Sequence, residues 1–210
     1  PGYSFNGWNP ELPATMPAES ATHKATWKAG TTSYTVVYWY ENANDDGYSY
    51  VADQKITDVA PGISVSSDTY KDANFNNKDA KHFTYNASKT EHVTVAGDGS
   101  TILNVYFTRN TYTLKFRELD CNKWWLITHT HDDSCYKEIK TITAKYQADI
   151  HKNFPIKDGD ETIWWIVPDG TETYGKLDRQ TYLGSIDTMP GENITFEKYD
   201  TESGAKIYYY

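Results

Sequence analysis

The chain has 210 residues, 20 of them basic and 29 acidic, for a net charge of −9, a length that suits one large domain or two modest ones. It carries no basic stripe to meet phosphates, which argues against nucleic acid as the main partner, and no run of 18 apolar residues that would insert in a membrane as a helix. With 18 Tyr and 7 Trp against 2 Met, frequent Thr and no sustained 3.6-residue apolar period, the composition suits pleated sheets and predicts an all-β to α+β fold with one or two short helices.

The chain opens at Pro1 without a methionine and is read as a piece of a longer surface protein. Residues 1–30 run Phe5-Asn6-Gly7-Trp8, then a Pro-rich turn, then Thr15-Met16-Pro17-Ala18-Glu19, then a strand through Ala21, His23, Ala25 and Trp27. With Gly2-Tyr3, these residues resemble the C-terminal half of a Listeria–Bacteroides repeat. Gly30 marks a boundary. From Ser33 to Tyr40 alternation puts Tyr34, Val36, Tyr38 and Tyr40 on one face and Thr35, Val37 and Trp39 on the other. Both faces are largely apolar, so the strand is central or one face is an aromatic platform. Asn42 to Gly47 is a turn, with Asp46-Gly47 as its hairpin signal. The same residues look like the start of a calcium loop, but Asn stands first, Asp53 stands where Glu is needed, and no helices flank them.

Ile56 to Val65 carries a Pro61-Gly62 turn. Ser67 to Ala80 is the best helix candidate, capped by Ser67 or Asp68 and shortened by Asn74, Asn76 and Asn77. Phe83 to Val95 alternates, Gly97-Asp98-Gly99 turns, and Ile102 to Thr108 is a strand that closes a unit over 31–110. The opening TVVYWYENANDDGYSYV and the closing VYFTRNTYTLKF resemble an internalin-type B repeat, which implies a small β-grasp-like module. A second unit, 111–210, opens with Tyr112 to Glu118 in the manner of Tyr34 to Tyr40. His151 to Phe154 suggests one helical turn before Pro155. Ile163 to Val167 and Ser185 to Pro190 echo the first 30 residues, Trp165 standing for Trp8 and Met189-Pro190 for Met16-Pro17. Internal repetition of strand-rich units suits a long surface protein.

The only two cysteines bracket CNKWWLITHTHDDSCY. Cys121, His129, His131 and Cys135 have ligand types and spacing for a closed, structural tetrahedral zinc site. Equally, a Cys121–Cys135 disulfide staples a hairpin and contributes about 3 kcal/mol, and free thiols are a third state. HTHDDSCY also resembles a His-x-His-x-Asp-x-Cys-Tyr motif of gut Firmicute surface proteins.

No Gly-x-Ser-x-Gly, His-Glu-x-x-His or phosphate-cradling loop occurs, and no carboxylate pair is singled out. The reading is therefore non-catalytic, with His23, His82, His92 and His151 as surface residues. Trp124, Trp125, Tyr38, Tyr40, Tyr48 and Tyr50 are the candidate ligand-binding residues, since exposed aromatics anchor interfaces and stack on sugars. Resemblance to these repeats implies an extracellular, wall-attached adhesin of a Gram-positive bacterium. The leading partner is a host immunoglobulin variable domain, bound in the manner of a superantigen through strand edges and tyrosine-rich faces. A glycan or mucin ligand and a spacer role are the alternatives, and the chain is taken as a monomer.

Overall fold

The computed structural model describes residues 2–73, 79–120, 133–155, 163–167, 180–182 and 186–199. The chain is mostly β, and its described helical segments are 3-10 turns of three or four residues. It forms two compact units, residues 1–42 with 46–108, and residues 43–45 with 109–210.

The first unit begins with an antiparallel ribbon, β1 (Tyr3–Asn9) and β2 (Lys24–Ala29). Its main sheet holds β3 (Thr32–Glu41), β4 (Tyr48–Val59), β6 (Phe83–Tyr85) and β8 (Ile102–Arg109), in the order β4-β3-β8-β6. A smaller pair joins β5 (Ser64–Ser66) to β7 (His92–Thr94). β3 is central, antiparallel to β4 and parallel to β8. Its alternation is the predicted one. Tyr34, Val36, Tyr38 and Tyr40 are buried with Val95, Leu103, Val105 and Phe107, while Thr35, Val37 and Trp39 are half-buried on the opposite face. Buried tyrosine hydroxyls need partners. Tyr34 bonds the Tyr70 hydroxyl at 2.6 Å, and Tyr38 donates to Gln54 Oε1 at 3.3 Å.

No long helix starts at Ser67. A 3-10 turn covers Ser67–Tyr70 and has no side-chain cap. The Ser67 hydroxyl, expected at the cap, is fully buried and used elsewhere. It accepts from the Glu91 amide at 2.9 Å and bonds Tyr85 Oη at 3.0 Å. Tertiary partners thus took the oxygen that a helix start needs. His151–Asn153 is the expected single turn.

The second unit's sheet contains β9 (Thr111–Leu119), β10 (Tyr136–Lys145), β11 (Ile163–Val167), β12 (Gln180–Tyr182) and β13 (Ile194–Tyr199), ordered β10-β9-β13-β11-β12. Again the first strand is antiparallel to the second and parallel to the last. Leu114, Phe116, Ile142, Ile150, Phe154, Met189 and Phe196 form the core. Phe116 stacks on Phe196 at 4.9 Å, and Phe154 meets both rings edge-on. Met189 is buried here, whereas Met16 is 95 % exposed, so the two Met-Pro pairs that look alike in sequence lie in opposite environments.

The two sheets also share a bulge. In unit one Tyr38 pairs with Ala52 and Trp39 with Tyr50, skipping Val51. In unit two Phe116 pairs with Lys140 and Arg117 with Glu138, skipping Ile139. Trp39 and Arg117 therefore occupy equivalent positions.

Candidate binding surface

The face of β3 that carries Trp39 holds a cross-strand row. Tyr50 of β4 and Tyr106 of β8 both pair with Trp39. Trp39 lies 6.2 Å from Tyr50, edge-on, and 6.4 Å from Tyr106, nearly parallel. Tyr48 meets Tyr106 edge-on at 5.0 Å. Lys89 Nζ sits 5.1 Å above the Tyr48 ring and 5.3 Å above that of Tyr106, a distance at which a cation is attracted to the ring face.

Polar groups fix the rings. Trp39 Nε1 donates to Asn104 Oδ1 at 2.9 Å, and the Asn104 backbone amide donates to Glu91 Oε2 at 2.9 Å. Asn86 Nδ2 donates to Tyr48 Oη at 2.9 Å. Tyr50 Oη donates to Asp53 Oδ1, and that bond pushes the Tyr50 hydroxyl pKa up. Burial, followed by the charge of Glu91, does the same for Tyr106. Both remain neutral hydroxyls at physiological pH. Tyr50 is 57 % exposed, while Trp39, Tyr48 and Tyr106 are half-buried. β4 ends the sheet, leaving a long strand edge beside this face.

The equivalent row in unit two is Glu138–Arg117–Glu197. Arg117 Nη2 bonds Glu197 Oε1 at 2.6 Å, with Nε at 3.1 Å from the same oxygen. The guanidinium lies 4.1 Å over the Tyr136 ring. Glu197 is buried. At the matching register position of the two sheets, unit two closes an ion pair and unit one carries aromatic rings.

The sequence candidates divide accordingly. Tyr48 and Tyr50 are on the surface row. Tyr38 and Tyr40 are 1 % and 8 % exposed and belong to the core, so they offer a partner no surface. Trp39 and Tyr106 are the residues that sequence reasoning missed. The signal was available, because alternation puts Trp39 opposite Tyr38 and Tyr40, and Tyr106 opposite Val105 and Phe107. Trp124, Trp125, Cys121, His129 and His131 lie outside the described residues. Cys135 is described and buried. The Asp120 amide donates to its carbonyl at 2.8 Å, one step beyond the Leu119–Tyr136 pair. Among the described residues no group of three or more His, Cys, Asp or Glu could hold a metal. His92 and His151 are exposed and His23 half-buried, but His82 is buried. Its pKa is lowered mainly by that burial and next by Lys81, against the pull of Asp79.

No protein-family model, curated protein or solved structure matches the chain.

Proposed function

We propose that the chain is a non-catalytic binding module built from two β-grasp-like units, and that the face bearing Tyr50, Trp39, Tyr106 and Tyr48 binds a host protein. One observation carries this reading. The fold does not require an aromatic row at that position, since its second copy holds an ion pair there. An exposed tyrosine beside half-buried tyrosine and tryptophan rings on paired strands, held by hydrogen bonds from neighbouring side chains, is a typical interface anchor. A sheet face beside the edge strand β4 suits a partner that is itself a β-sandwich. An immunoglobulin variable domain is therefore the first partner to test.

The proposal extends to the compartment. The pairing of β9 with β10 up to Leu119–Tyr136, with the Asp120 amide donating to the carbonyl of buried Cys135, supports a Cys121–Cys135 disulfide. Such a bond suits an extracellular, wall-attached protein.

The experiment is titration of the chain against polyclonal Fab, with mucin glycans in parallel. The expected result is saturable Fab binding that Tyr50→Ala weakens by about 2 kcal/mol, roughly thirty-fold. Glycan binding without Fab binding moves the ligand to a saccharide stacked on the same rings. Binding to neither, or Fab binding indifferent to Tyr50→Ala and Tyr48→Ala, refutes the proposed face.

A further inference from the structure

The acceptors and donors of the Tyr50 face are unequally used. Asp53 accepts from the Tyr50 hydroxyl, and Glu91 accepts from the Asn104 amide and side chain. Glu41, opposite Tyr48 in the pairing, is engaged as well. Lys89 is different. Its ammonium lies over the Tyr48 and Tyr106 rings, at 5.1 and 5.3 Å, and has no carboxylate or hydrogen-bond partner among the described residues. The Tyr48 hydroxyl also has a proton left to give. Asn86 Oδ1 accepts from the Ser88 amide and hydroxyl at 3.1 and 2.6 Å, which turns Asn86 Nδ2 toward Tyr48 Oη. The Tyr48 oxygen therefore accepts, and its O–H has no acceptor among the described residues.

Lys89 is exposed, but its backbone is braced on both sides. It ends the 3-10 turn Ala87–Lys89, whose start is capped by the Asn86 side chain. Just beyond it, Thr90 Oγ1 donates to the Ala87 carbonyl at 2.9 Å and bonds Tyr85 Oη at 2.8 Å. The long stem thus reaches the two rings from a fixed base.

Unit two shows what completes such an arrangement. By register Tyr136 matches Tyr48, and Glu197 matches Tyr106. There too a cation, Arg117, lies over the tyrosine ring, and Glu197 supplies its carboxylate at 2.6 Å. Unit one keeps a cation over the tyrosine and has Tyr106 where the carboxylate would stand. We propose that the partner supplies the missing group: an exposed Asp or Glu side chain of the bound protein seats on Lys89 Nζ and the Tyr48 hydroxyl. This rests on the reading that the face binds a protein, and it names the chemistry recognised. Charge-assisted hydrogen bonds are strong and directional, so one carboxylate fixes the partner's register on an otherwise aromatic face. The chain as a whole is −9 and repels acidic surfaces at long range, which confines the attraction to Lys89.

Titration of Fab against the full chain and three variants tests this, with near-ultraviolet circular dichroism confirming that each variant is folded. Lys89→Gln weakens binding about tenfold, the loss expected for a hydrogen bond to a charged group, and Lys89→Arg recovers most of it. Tyr48→Phe keeps the ring, removes the donor and weakens binding about fivefold. Fab with its carboxylates amidated binds the parent about tenfold more weakly, yet binds Lys89→Gln no more weakly than untreated Fab does. The net charge alone predicts the opposite sign, because a less negative Fab approaches an acidic chain more readily. The proposal is overturned if Lys89→Gln stays within about twofold of the parent, the scatter of a neutral surface change. It is equally overturned if amidated Fab binds the parent as tightly as untreated Fab. Either result, with binding still lost in Tyr50→Ala, removes the carboxylate contact and leaves the protein-binding face standing. Absence of Fab binding overturns both.

Discussion

Replacing Arg117 with alanine removes one half of the unit-two row and leaves the other half buried. Glu197 Oε1 receives two guanidinium contacts, at 2.6 and 3.1 Å. The Glu197 side chain is 5 % exposed and that of Arg117 is 17 %. Breaking a buried pair from one side costs ~3–5 kcal/mol, because the remaining charge has lost its compensation. The partial exposure of Arg117 places this case at the lower end, about 3 kcal/mol. For a unit of this size that lowers the thermal midpoint by roughly 12–24 °C. Replacing both partners, Arg117→Met with Glu197→Leu, recovers stability to within about 1 kcal/mol of the parent, since neither charge then needs solvation. Differential scanning calorimetry of the full chain and of both variants measures this. The reasoning fails if Arg117→Ala loses less than about 1 kcal/mol, or if the double replacement is no more stable than the single one. Fab affinity, if found, stays unchanged in these variants, whereas Tyr50→Ala reverses the pattern by weakening binding while changing stability by less than ~0.5 kcal/mol.

Two solution conditions give further tests. Burial and the Tyr34 hydroxyl bond raise the Tyr70 pKa well above its usual value near 10. A raised folded pKa means its contribution to stability is complete below the unfolded pKa and is lost as pH climbs from there through the folded pKa. Stability of unit one should therefore fall above about pH 10, and tyrosinate absorbance at 295 nm should show a slow fraction that ionises only on unfolding; full, rapid ionisation by pH 11 contradicts this. Reduction with dithiothreitol should lower the stability of the second unit by about 3 kcal/mol, with EDTA without effect. Loss on chelation alone would instead place zinc on the cysteines and histidines.

The period-two pattern of SYTVVYWY fixed which side chains of β3 enter the core, because a strand that buries one face cannot slip by one residue without exposing it. The turns at Asn42–Gly47, Pro61-Gly62 and Gly97–Gly99 were equally local, since their residues carry the required backbone angles themselves; Gly62 and Gly99 take φ of +86° and +78°. The Ser67 segment was not legible. Its hydroxyl went to Glu91 and Tyr85, which are distant in sequence, and local capping preference lost to them. The binding row was half legible for the same kind of reason. Tyr48, Tyr50 and Trp39 stand in one hairpin, but Tyr106 arrives on β8 through a parallel pairing that no local pattern encodes.

By itself, then, the sequence determined the β class, the face of β3 and the turns, all properties of neighbouring residues. Tertiary structure alone decided that Tyr38 is core while Tyr50 is surface, that Met189 is buried while Met16 is bare, and that a bulge in β1 gathers Phe5, Trp8 and Trp27 on one side. Each of those depends on what is packed across the sheet or opposite the strand, and the register that brings such residues together is set by contacts far apart along the chain.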